Sequence, residues 1–154
     1  MKILKSVLFL VFFGVTVSAH AQVACVQWSG NQQIAPCSTW SDGFACTQWS
    51  GNDPSAPCAQ WSDGNACVQW SGNQQVAPCS QWSDDLTCTK WSGNAPSAPC
   101  AEWSNGVVCV QWSGNQEIAP CAAWSNGSVC TQWSGNAPSA PCSVWSQSLP
   151  LGMR

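Results

Sequence analysis

Twelve cysteines and twelve tryptophans dominate the chemistry open to this 154-residue chain. The cysteines are Cys25, Cys37, Cys46, Cys58, Cys67, Cys79, Cys88, Cys100, Cys109, Cys121, Cys130 and Cys142, so the intervals alternate between 12 and 9 without exception. Each opens a C-x-x-W-S motif. Thiols can cross-link, bind soft metals or act as nucleophiles. The C-x₂-C pairs of zinc sites are absent, and the one histidine, His20, precedes the repeats, so no His-assisted nucleophile or His-containing metal site can be built there. Structural disulfides are the expected use, with no metal and no cofactor.

The indoles suggest a second chemistry. The apolar face of a pyranose stacks on an aromatic ring, and neighbouring amides orient its hydroxyls. Gln27 and Asn31 flank Trp28, and the pattern recurs. The candidate binding residues are therefore Trp28, Trp49, Trp70, Trp91, Trp112 and Trp133, with Asn31, Asn52, Asn73, Asn94, Asn115 and Asn136. The competing reading is that these indoles form the core, since buried aromatic area drives folding. One half-set of tryptophans buried and the other exposed satisfies both. The carboxylates do not suggest catalysis: Asp42 and Asp63 sit in turn dipeptides, Asp84-Asp85 occurs once, and no acid pair recurs. A non-enzyme is expected.

These residues need a scaffold that repeats as they do. The unit is 21 residues long, starting at Cys25, Cys46, Cys67, Cys88, Cys109 and Cys130 and spanning 25–150. Its first half reads C-[VT]-[QK]-W-S-G-N-x-x-x-A-P and its second C-x-x-W-S plus four variable residues. A 42-residue period overlies this one. Odd units carry Val after the first cysteine and Gln-Gln-Ile, Gln-Gln-Val or Gln-Glu-Ile in the loop; even units carry Thr with Asp-Pro-Ser or Ala-Pro-Ser.

Helical periodicity is absent, while Gly, Pro, Asn and Ser abound. Short strands over 24–29 and 36–41, and their translations, give twelve strands joined by turns. The Asp-Gly and Asn-Gly dipeptides suggest type I′ turns with positive φ at both residues. In a regular strand, residues three apart face opposite ways, which predicts a cysteine layer and a tryptophan layer. Two bridge patterns fit the spacing: Cys25–Cys37 and its translations, or Cys37–Cys46 and its translations with Cys25 joined to Cys142. The first is preferred because every cysteine pairs locally at any repeat number. Each bridge contributes on the order of 2–4 kcal/mol. The expected fold is all-β, a disulfide-rich tandem array of short strands, solenoid-like with tryptophan ladders; the alternative is a closed three-fold, trefoil-like domain of three 42-residue units.

Residues 1–21 read as a signal peptide: Lys2 and Lys5, an apolar stretch from Leu8 to Val17, then Ala19-His20-Ala21. Residues 22–154 form the single repeat domain, secreted, extracellular, or periplasmic or at the cell surface in a bacterium. Only Lys90 and Arg154 are basic there, against seven acids, so nucleic acid and anionic membranes are poor partners. No membrane insertion is expected. Asn126-Gly127-Ser128 is the one glycosylation sequon. The expected function is non-catalytic carbohydrate or polysaccharide binding, lectin-like, through tryptophan ladders. A disulfide-cross-linked matrix, adhesive or coat protein, consistent with self-association, is the alternative. Ice binding comes third, because threonine follows the cysteine only in alternate units.

Overall fold

The computed structural model describes residues 21–147. The leader lies outside them except for Ala21, as do the last residues of the sixth unit. The described residues contain no helix and form twelve strands: β1 (Val23–Trp28), β2 (Cys37–Trp40), β3 (Cys46–Trp49), β4 (Cys58–Trp61), β5 (Cys67–Trp70), β6 (Cys79–Trp82), β7 (Cys88–Trp91), β8 (Cys100–Trp103), β9 (Cys109–Trp112), β10 (Cys121–Trp124), β11 (Cys130–Trp133) and β12 (Cys142–Trp145). The all-β, disulfide-stapled tandem array is thus present. Its strands pair antiparallel inside each unit, as hairpins, where a solenoid would stack coil on coil.

Each cysteine bridges to its partner in the same unit, from Cys25–Cys37 to Cys130–Cys142, always across 12 residues with Cα atoms 5.7 to 5.8 Å apart. The local frame is therefore the observed one, and no cysteine is free.

The separate cysteine and tryptophan layers are not formed. In the first hairpin Cys25 lies opposite Trp40, Gln27 opposite Thr39 and Trp28 opposite Cys37. Val26 and Ser38 are therefore extra residues, one in each strand. Every hairpin repeats this double irregularity. A bulge resets the two-residue alternation, so positions three apart return to the same side. Cys37 and Trp40 are consequently both buried, each 5% exposed, and together with their translations they make the core. Burying an indole stabilises by about 4–6 kcal/mol from its area. The Nε1 atoms of Trp40, Trp61, Trp103 and Trp124 are buried without a hydrogen-bond partner, at about 1–3 kcal/mol each. Burial outweighs that loss.

The turn chemistry also differs from type I′. Positive φ occurs only at the second residue of the dipeptide: Gly43, Gly64, Gly106 and Gly127, with Asp85 at 67° in the third copy. The Gly43 N–H donates to Trp40 O, and the Trp40 N–H to Phe44 O. This is a three-residue loop, in which one left-handed residue suffices. The preceding Asp or Asn stays in ordinary backbone and accepts from the N–H two residues on, as Asp63 does from Asn65 at 3.1 Å and Asn126 from Ser128 at 3.0 Å.

The serine after each second-half tryptophan ties the end of the hairpin to the residue just before the unit's first cysteine. Ser41 Oγ accepts from Ala24 N–H at 2.9 Å, and the Ser41 N–H donates to Ala24 O at 2.8 Å. The other units repeat the pair. A single bridge joins each second strand to the residue that leads into the next unit, Thr39↔Ala45 and four translations. The sixth equivalent, Val144↔Ala24, joins the last unit to the first, beside Trp145↔Val23. The ends of the array thus meet in a four-stranded sheet ordered β11-β12-β1-β2, while the other hairpins stay two-stranded. The array closes on itself through six units, without forming one continuous barrel.

Candidate functional site

The structure separates the tryptophans into two sets. Those of the second halves are core. Trp28, Trp49, Trp70, Trp91, Trp112 and Trp133 are half-buried and pack against the core. Asn31, Asn52, Asn73, Asn94, Asn115 and Asn136 are all exposed. The expected ladders are therefore partly sheltered rather than fully exposed.

The asparagines of odd units also shape their own loops. Asn31 Oδ1 accepts from Gln33 N–H at 3.0 Å, and Asn73 and Asn115 repeat this with Gln75 and Glu117. The Asn31 carbonyl accepts from Ala35 N–H at 2.6 Å. Ala35 and its five counterparts are at most 2% exposed, sealing the base of each loop. In the second unit Asp53 takes the capping part, accepting from both the hydroxyl and the N–H of Ser55. The Ser55 hydroxyl, more than its N–H, holds the Asp53 carboxyl below the usual carboxylate range.

Two surface grooves bring the candidate residues together. One, of about 650 Å³, is lined by Trp133, Asn115 and Asn136, with Gly114, Ile118 and Pro138 among the remaining residues. The other, of about 450 Å³, is lined by Trp91, Asn73 and Asn94, with Gly72, Gly93 and Pro96. Each tryptophan thus meets an asparagine of its own unit and one from the unit before it. The first-half glycines make this approach close. A Cβ on Gly30 would lie 2.7 Å from Pro54 Cβ, and one on Gly51 would lie 2.8 Å from Gln75 Cγ. These glycines serve packing between units, whereas Gly43, Gly64 and Gly106 have open space and serve backbone conformation.

A third cavity, of about 300 Å³, is lined by the Pro-Cys-x-x-Trp residues of the second halves, among them Trp40, Trp103, Trp124 and Trp145. Proline rings, disulfides and indoles surround it, with no side-chain amide to orient a hydroxyl. The grooves are the better match to a polar ligand with one apolar face.

Sequence reasoning named the tryptophans and asparagines but missed Ile118, the prolines and the pairing of residues across units. The 42-residue period was the available signal, because Pro-Ser recurs only in even loops.

No family model, no curated protein and no solved structure matches this chain.

Proposed function

We propose that this protein is a secreted, non-catalytic carbohydrate-binding protein. The carrying observation is the pair of grooves lined by a half-buried indole and by asparagines of two adjacent units. A sheltered ring with an exposed part offers an apolar platform at low entropic cost, because the core already holds it. Amides at the rim supply donors and acceptors for hydroxyls. The six intrachain bridges suit an oxidising extracellular compartment. No helix among the described residues is long and apolar enough to cross a membrane.

The cross-linked matrix reading gains nothing from the bridges, since they leave no thiol for intermolecular links. Ice binding is not favoured either: Thr47, Thr89 and Thr131 each donate a hydroxyl to a backbone carbonyl across the hairpin, at 3.1 Å. The test is retention of the oxidised protein on insoluble chitin, cellulose and peptidoglycan, with a reduced sample alongside. Retention on one matrix, lost on reduction, is expected. Absence of retention on all three would overturn the proposal.

A further inference from the structure

The junctions between successive units are of two kinds. Where an odd unit meets the next even one, the odd glycine faces a proline: Gly30 faces Pro54, Gly72 faces Pro96 and Gly114 faces Pro138. The odd serine before that glycine donates to the same proline's carbonyl, at 2.8, 3.1 and 3.3 Å. Where an even unit meets the next odd one, the glycine faces a long side chain. The Cγ atoms of Gln75, Glu117 and Gln33 lie 2.8 Å from a Cβ built on Gly51, Gly93 and Gly135. At these junctions Ser50, Ser92 and Ser134 have buried hydroxyls without hydrogen-bond partners.

The difference is steric. A Gln or Glu side chain lies across the even-to-odd junction, whereas a compact proline ring stands at the odd-to-even one. Both grooves with a tryptophan lie at odd-to-even junctions, between units three and four and between units five and six. Units one and two supply the same residues, Asn31, Trp49, Asn52 and Pro54, with Asp53 where Ala95 and Ala137 stand in the other pairs. The junction that closes the array, Gly135 against Gln33, is of the filled kind. The grooves at Trp91 and Trp133 therefore each fall inside one 42-residue pair.

We infer that the chain carries three saccharide subsites, one per 42-residue pair, each lined by the even-unit tryptophan and an asparagine from both units. This rests on the carbohydrate-binding reading above. Trp49, Trp91 and Trp133 touch the sugar, while Trp28, Trp70 and Trp112 support the hairpins. The grooves at Trp91 and Trp133 hold no ionisable side chain, which suits a neutral or N-acetylated pyranose. The subsite at Trp49 differs by the Asp53 carboxylate. Three subsites on one rigid scaffold act together on a chain-like polysaccharide, raising avidity over a single contact.

Titration of the oxidised protein with chitotetraose and with cellotetraose, followed by native mass spectrometry and by indole N–H resonances, tests this. Saturation at three ligands per chain is expected, with shifts confined to three of the twelve first- and second-half indoles, those of Trp49, Trp91 and Trp133. The triple variant Trp49→Ala, Trp91→Ala, Trp133→Ala should lose binding at least 100-fold; Trp28→Ala, Trp70→Ala, Trp112→Ala should stay within about 5-fold. Saturation at one or six, or shifts in the odd-unit indoles, would overturn the three-subsite inference and leave the carbohydrate reading standing. Failure of the unmodified protein to bind either probe and all three matrices would overturn both. The resonance assignment needs no variant, so a misfolded triple variant does not decide the matter.

Discussion

Replacing Cys67 and Cys79 with alanine removes one staple and leaves five. The bridge spans 12 residues, and a loop of that size costs the unfolded chain about 3 kcal/mol of closure entropy at 25 °C. Cys79 is 5% exposed, so the lost sulfur adds a methyl-sized void worth about 1 kcal/mol. The sum, about 4 kcal/mol, lowers Tm by roughly 15 °C in a domain of this length. Thermal unfolding followed by near-ultraviolet circular dichroism measures it, with peptide mapping to verify the other bridges. The same replacement at Cys46 and Cys58 should give the same fall, because the two loops have equal length. A fall below about 4 °C, or one confined to a single unit, would show that the bridges do not carry the array. Mapping that joined Cys37 to Cys46 would contradict the pairing itself.

The two sets of tryptophans should respond differently: Trp61→Ala costs about 3–5 kcal/mol, because Trp61 is 3% exposed, while Trp91→Ala costs clearly less in urea unfolding. Gly30→Ala forces a contact of 2.7 Å on Pro54 and should cost about 1–3 kcal/mol, most of it recovered in a double-mutant cycle with Pro54→Gly. Gly43→Ala should cost about 1–2 kcal/mol through its positive φ alone, with no coupling to Pro54. Deleting residues 67–108 leaves four units, too few to bring β1 back to β12, so amide exchange at Val23, Ala24 and Val144 should rise sharply; unchanged protection would mean that the array tolerates any number of units. Carboxyl titration by NMR should place Asp53 below 3.8, with Ser55→Ala returning it toward that value. Because the folded-state value is depressed, the small stabilisation from this contact is present above the unfolded-state value and lost as pH falls through the folded one.

Much of the fold was legible in the residues because its governing distances are short. A cysteine every 12 and 9 residues, with turn residues between, allows local pairing at low entropic cost, and the observed bridges and twelve strands follow that frame. The hydrogen bonds that explain the repeated second-half serine were not legible. Its partner lies 17 residues away, as in Ala24 to Ser41, and nothing in C-x-x-W-S names it.

What tertiary structure decided falls under three causes. The bulges depend on both strands of a hairpin at once, so the sidedness of Cys37 and Trp40 could not come from the alternation of either strand alone. The closure of Val23 on Trp145 depends on the turn each unit makes relative to the last, an angle summed over six copies that no motif spells out. The grooves arise between units, where a proline stands in one junction and a glutamine in the next. The sequence by itself determined the unit, its staples and the identity of the indoles, because those rest on local chemistry. Packing between units determined which half-buried indoles line a groove, because that depends on what the neighbouring unit places beside them.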